Sequence, residues 1–304
     1  MLRTDDLQLR IMRELTSPGS FRWDIRESYA AMAERLKVDE ETVRRGVNRA
    51  RELGFLKTIQ LVLNPHLIGR ESAGIQGNVE DPEKKQSTVS QIEQLDGVVI
   101  IINLIGKPLR TIFYYRDEKA HARTVQQIKA ICGSGDTVEW RGGFPPANLN
   151  LHTTDWQIIK ALRKDPRRPT SDLARDVGVS TKTVKRRLTL MTEGRAFYLL
   201  PELNYDKYPG VASDYLISIP DEAKKATIDK QIRAKLDRLV FSFTDAKEFS
   251  IFAKVCLNMS EADETQKWIQ GIDGVKNVRM DLMRETTVVK GWLDREIETR
   301  LQNA

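Results

Sequence analysis

Cysteine, histidine and long apolar runs are scarce in this chain of 304 residues. Two cysteines, Cys132 and Cys256, exclude a disulfide framework and a CxxC metal pair, and each lies in an apolar stretch that reads as core. No apolar run approaches the roughly 20 residues that span a bilayer. The opening M-L-R-T-D-D-L-Q has no apolar signal core. These absences predict a cytoplasmic protein with no membrane partner, no metal and no cofactor.

What is present is ordinary in bulk and uneven in detail. Apolar residues make up 40% and charged residues 30% of the chain, enough for several real cores. The net charge of +6 favours a polyanionic partner only mildly. Between Leu151 and Gly210, however, 12 Lys/Arg stand against 7 Asp/Glu, so the excess is concentrated.

The chain also repeats itself. E-S-Y-A-A-M-A-E-R-L-K-V-D-E-E-T-V-R-R-G-V-N-R-A-R-E-L-G, from Glu27 to Gly54, and T-S-D-L-A-R-D-V-G-V-S-T-K-T-V-K-R-R-L-T-L-M-T-E-G, from Thr170 to Gly194, share one plan. A short helix centred on a small residue (Ala33, Ala174) meets a tight turn, then a capping residue (Asp39, Ser180), then a basic helix. Val43, Val47 and Ala50, and again Val184, Leu188 and Met191, fall at i, i+4 and i+7 and predict one buried stripe per helix. This is the pattern of a helix-turn-helix, and two copies make double-stranded DNA the leading partner.

Around each copy the spacing predicts the rest. A first helix starts at Thr4 or Asp5 and ends at Ser17-Pro18-Gly19. A second covers about Ile25 to Leu36, after an insertion whose Phe21 and Trp23 are expected to pin a loop. Phe55 to Leu63 and Phe197–Leu203 read as a wing or connecting strand. Each is followed by strand, helix, two strands, helix and strand, the ferredoxin-like order. The predicted class is α+β: helix-turn-helix at 1–70, ferredoxin-like at 71–142, linker at 143–150, helix-turn-helix at 151–209 and ferredoxin-like at 210–304, the last with a C-terminal helix lacking a counterpart.

This plan resembles, twice over, the Lrp/AsnC (feast/famine) transcription regulators of archaea and bacteria, winged helix-turn-helix units joined to ferredoxin-like RAM-type domains. The best match is D-W-Q-I-I-K-A-L-R-K-D-P-R-R-P-T-S-D-L-A-R-D-V-G-V-S-T-K-T-V-K-R-R-L. The resemblance implies sequence-specific DNA binding without catalysis. It also implies two sheets that pair face to face, within one chain as an intramolecular pseudo-dimer, with homo-oligomers beyond that left open. Ile100, Ile102 and Leu104 (or Val99, Ile101 and Ile105) and Phe241, Phe243, Ile251 and Ala253 are the candidates for those faces. Three departures stand out. The second basic helix reaches its glycine one residue sooner, which predicts a different exit. Lys37 occupies the turn position of Gly178, which predicts a remodelled turn. The usual Gly-x-x-Asp-like effector turn is replaced by Gly106-Lys107-Pro108 and Asp245-Ala246-Lys247-Glu248, so free amino acids are not expected to act as effectors.

In the second repeat the DNA-reading candidates are Thr181, Lys182, Thr183, Lys185 and Arg186, with Arg167, Arg168 and Arg187 on phosphates. In the first, Glu40 and Glu41 repel phosphate, and Thr42, Arg44, Arg45 and Arg49 carry the contact. Two rivals remain. One is an enzyme like the siroheme decarboxylases, which resemble the same plan. That chemistry calls for proton donors lining a tetrapyrrole pocket, and only His66, His121 and His152 are on offer. The other is a protein-interaction regulator with degenerate DNA binding.

Overall fold

A computed structural model describes residues 4–16, 21–133, 136–244 and 246–303. The expected helix stop at Ser17-Pro18-Gly19 and the turn residue Asp245 lie outside the described residues.

Three helices open the chain: α1 (Thr4–Thr16), α2 (Tyr29–Leu36) and α3 (Glu40–Glu52). Helix α2 begins later than its apolar pattern predicts because Ser28 caps it, Oγ accepting from the Ala31 amide at 3.1 Å. Ile25 is instead buried in the preceding loop. Asp39 caps α3 by accepting from the Thr42 amide at 2.7 Å. The turn between them is not remodelled: Lys37 adopts the left-handed conformation, φ 57°, that Gly178 takes in the other repeat at 73°. The second set is α6 (Thr153–Lys164), α7 (Thr170–Val177) and α8 (Thr181–Glu193), with Ser180 capping α8 through the Thr183 amide at 3.1 Å.

The exits of α3 and α8 also agree more closely than the glycine spacing implies. After α3, Leu53 is right-handed and Gly54 left-handed at φ 72°. After α8, Gly194 stands in the place of Leu53 with φ −79°, and Arg195 takes the left-handed position at 54°. Glycine is used at 194 for space. A Cβ there would lie 2.4–2.6 Å from the Leu149 side chain.

Each exit leads into a strand, β1 (Leu56–Leu63) and β6 (Phe197–Leu203), and these serve as connections. They pair with each other, antiparallel, from Leu56↔Leu203 to Leu63↔Phe197, so a two-stranded ribbon ties the two helix-turn-helix units together. Phe21 and Trp23 pin the intervening loop to this ribbon, their rings 4.4 and 5.6 Å from Tyr198.

The remaining strands are β2 (Glu71–Asn78), β3 (Val98–Leu104), β4 (Pro108–Tyr115), β5 (Thr137–Gly142), β7 (Val211–Ser218), β8 (Leu239–Phe243), β9 (Phe249–Cys256) and β10 (Asn277–Val288). They form one eight-stranded sheet in the order β5-β2-β4-β3-β10-β7-β9-β8. Each half has the ferredoxin-like order and carries two helices, α4 (Lys85–Ile92) and α5 (Glu118–Cys132) or α9 (Glu222–Lys235) and α10 (Met259–Gln270). The halves join because β10, twelve residues long, serves both of them. Asn277–Leu282 pairs with β7, and Met283–Val288 continues onto β3. The corresponding extension of β5 is blocked by Gly143-Phe144-Pro145-Pro146, whose prolines cannot donate to a ladder. The edge at β8 is covered by α1 instead.

The sheet faces meet as well as the edges. Ile112, Val138 and Trp140 of the first half pack with Leu216, Phe243 and Ile251 of the second, and Trp140 lies edge-on to Phe249 at 5.4 Å. Within this layer Arg110, 1% exposed, donates to both oxygens of Asp214, also 1% exposed, at 2.6 and 2.8 Å. Gln76 accepts from Arg110 and donates to Asp281 at 2.7 Å. Helix α11 (Gly291–Asn303) then closes the chain on itself. Trp292, Leu293 and Ile297 are buried, and Asp294 accepts from Arg163 of α6 at 2.8 Å.

Candidate nucleic-acid interface

The two basic helices present different surfaces. On α8 the i, i+4, i+7 stripe Val184, Leu188, Met191 is buried, which turns Thr181, Lys182, Lys185 and Arg186 to solvent. Thr183 is half-buried beside the Ser180 cap. Among the described residues, Lys182, Lys185 and Arg186 make no ion pair, so three cations stand free on one short surface. Arg187 does not join them. Its guanidinium pairs with Asp155 of α6, a fully buried carboxylate that also accepts from the His152 amide at 2.9 Å. That pair holds α8 against α6 and raises the Arg187 pKa. Arg187 is therefore an internal brace and not the phosphate contact expected of it.

On α3 the cations are partly spent. Arg44 pairs with Glu40 at 2.7 Å and with Glu41 at 3.4 Å, and Arg45 lies 3.6 Å from Glu41. Thr42 is half-buried, its hydroxyl donating to Asp39 at 2.7 Å, while Arg49 is exposed. Helix α3 has Gly46 where α8 has Arg187, and Ile11 of α1 fills the space: a Cβ on Gly46 would lie 2.5 Å from Ile11 Cδ1.

Arg167 and Arg168 sit where the two units touch. Arg167 donates to the Glu27 carbonyl at 2.7 Å and lies over the Tyr29 ring at 4.5 Å. The Arg168 carbonyl accepts from Arg26, and its guanidinium pairs with Asp176 at 2.5 Å. Sequence reasoning placed both on phosphates. The sequence held no signal for the contacts with Glu27, Tyr29 and Arg26, which lie in the other repeat, while Asp176 lies on α7 of the same one.

The turn at the usual effector position is occupied from within. Lys85 of α4 is buried and donates to the carbonyls of Leu104, Gly106 and Pro108, the last two at 2.8 and 2.7 Å. Burial brings its pKa down to about 8. Lys225 of α9 does the equivalent in the second half, donating to the Thr244 carbonyl at 2.5 Å and to Asp229 at 2.7 Å.

An apolar cavity of about 110 Å³ lies between the ribbon and the sheet. Ile102, Phe241 and Met283 line it from the sheet, and Tyr198 and Pro201 from β6. No histidine reaches it. His66 contacts Pro145 and Glu71, His121 packs on Phe113 and Tyr115, and His152 caps α6. Among the described residues no cluster of His, Cys, Asp or Glu could hold a metal ion, and no helix is long and apolar enough to cross a membrane. Among the described residues the one cation in the cavity wall, Arg110, is already paired. Neither the space nor the donors fit a carboxylate-rich tetrapyrrole macrocycle.

Comparison with known proteins places these features. Residues 152–191 match the AsnC-type helix-turn-helix domain. A curated relative, the HTH-type transcriptional regulator Ptr1 of Methanocaldococcus jannaschii, is 28% identical over 103 residues, 34% of this chain. The chain spans 66% of that regulator, just under two thirds of its length. Among solved structures, the siroheme decarboxylase NirDL in complex with an iron-uroporphyrin III analogue aligns over 96% of this chain and 98% of its own, with a TM-score of 0.56 at 13% identity. That likeness is one of fold. E. coli AsnC covers 44% of this chain and 92% of its own, with a TM-score of 0.36 at 18% identity. The matched segment spans α6, α7 and α8, so the second helix-turn-helix is of the AsnC type, set beside ferredoxin-like sheets.

Proposed function

We propose that this protein is a transcription regulator that binds double-stranded DNA sequence-specifically, as a single-chain pseudo-dimer with α8 as its principal reading element. The observation that carries the reading is the set of uncompensated cations, Lys182, Lys185 and Arg186, at the start of a capped, exposed helix. A helix of this kind fits the major groove and reaches base edges with its first residues. Arg186 can address a guanine bidentately, an interaction worth about 1–3 kcal/mol of discrimination. On α3, Glu40 and Glu41 compensate Arg44 and Arg45, so Thr42 and Arg49 contribute a weaker contact. The ribbon β1/β6 supports a fixed relation between the helices, and their different sequences make the bound site an asymmetric pair of half-sites. The domain limits follow the same logic: reading units at 1–70 and 151–209, sheet units at 71–142 and 210–304, joined by 143–150.

The test is a gel-shift series on sites selected from random DNA, repeated across salt concentrations. K182A/R186A is expected to lose more specific affinity than R44A/R45A, and each lost phosphate contact should flatten the salt slope by about one. Equal losses, or a larger loss on α3, refute the assignment of α8. The decarboxylase reading has the likeness of fold in its favour, but the cavity beneath the ribbon is too small for its substrate and is lined by no histidine.

A further inference from the structure

The cavity beneath the ribbon has no part in reading DNA, and its construction specifies an occupant. The charged and several of the polar groups in its wall are already engaged. Arg110 and Asp214 hold each other, the Tyr198 hydroxyl pairs with that of Tyr114 at 2.7 Å, and the Thr286 hydroxyl donates to the Pro201 carbonyl and accepts from the Leu203 amide. A charged occupant would be buried there without a counter-ion. The ribbon side of the wall is aromatic. Phe21 and Phe144 stack at 4.8 Å with 14° between their planes, and Tyr198 tilts against both at 4.4 and 5.5 Å. Aromatic walls of this kind favour a ring, offset or edge-on. An apolar cavity of roughly 150 Å³ stays dry and takes up benzene, so about 110 Å³ corresponds to one ring.

We propose that this cavity is a binding site for a neutral, single-ring aromatic molecule, and that its occupancy is communicated through β6 to helix α8. Communication follows from ownership of the walls. Tyr198 and Pro201 belong to the strand that leaves α8, Phe21 to the loop between α1 and α2, and Phe144 to the segment that enters the second repeat. Ile102, Phe241 and Met283 belong to the sheet opposite. An occupant touches the attachment of both reading units at once. This second half of the proposal rests on the DNA-binding reading above.

Fluorobenzene and the intact protein provide the test, with binding followed by ¹⁹F NMR. Saturable binding is expected, while L-phenylalanine, the same ring with two added charges, should not compete. I102F fills the cavity and should weaken binding by at least about tenfold, as expected when side chain and ligand contest one space. Should I102F fail to fold, M283A enlarges the cavity and should admit indole, which the wild type excludes. No saturable binding to folded wild type, or undiminished binding to folded I102F, overturns the site. In gel shifts, saturating fluorobenzene should change DNA affinity by about fivefold or more, and an unchanged affinity overturns the communication. A protein that binds no DNA at all defeats the functional reading and leaves the NMR result to decide the site.

Discussion

The pair Arg110–Asp214 allows a sharp prediction, because it is the buried ionic bond between the two halves of the sheet. Both side chains are 1% exposed, so neither can turn to water when its partner is lost. In D214A the guanidinium keeps only Gln76 Oε1, which accepts from Nε and one terminal nitrogen, and two of its bonds have no replacement. Removing one member of a buried pair in this way costs about 3–5 kcal/mol. The intact pair need not itself be strongly stabilising, because both ions were desolvated to form it. R110M/D214L, which removes both charges and keeps the volume, should therefore recover at least about 2 kcal/mol of the loss in D214A. Part of the deficit should remain, since Gln76 Oε1 would lose its donor. Urea denaturation followed by tryptophan fluorescence reports the difference, since Trp140 lies 5.9 Å from the Arg110 guanidinium. A loss below about 1 kcal/mol in D214A, or a double variant as unstable as the single one, would refute this account of the joint.

Two further outcomes follow from the first helix-turn-helix. K37G places glycine at a left-handed position now held by an L side chain, and should raise stability by about 0.5–1 kcal/mol in thermal unfolding; a destabilised K37G would show that the lysine side chain contributes more than its backbone costs. Glu27 joins Arg35 and Arg22, and the hydrogen bond from Arg35 is the first cause holding its pKa below 4.5. A carboxylate with a depressed folded pKa stabilises above its unfolded value and loses that contribution as the pH falls through the folded one. The Tm gap between wild type and E27Q should thus be full at neutral pH and close below pH 4.5. A gap that stays constant into strong acid would refute the role of this cluster.

The repeat, the caps and the two ferredoxin-like orders were legible in the sequence because each rests on local signals. Ser180 and Asp39 cap where helices must start, and the period of the apolar residues changes where strands follow. The left-handed turn at Lys37 was misread because propensity speaks against lysine there, while the Val38 amide bonding to the Ala33 carbonyl keeps the Schellman-type geometry regardless. The exits after α3 and α8 were misread because glycine spacing was taken for conformation. Gly194 is set by Leu149, a contact from outside the repeat. The roles of Arg187, Arg167 and Arg168 depend on Asp155, Tyr29 and Asp176, and no single-residue pattern separates a brace from a phosphate contact. The cavity was invisible for the same reason, since its walls come from segments between Phe21 and Val288.

The joint at β10 also bears on how the chain is made. β3 emerges early in synthesis, yet its edge is completed only by Met283–Val288, and the Val98 carbonyl at its start only by the indole of Trp292. β1 likewise waits for β6. During translation the first half therefore exposes two unpaired strand edges and the apolar face of Ile100 and Ile102 until residues 197–203 and 283–292 have left the ribosome. Such edges are sites of wrongful pairing. A stop codon just before residue 277 would consequently be as damaging as one in the middle of the gene, because it leaves a folded half with its seam open, a better template for aggregation than an unstructured fragment.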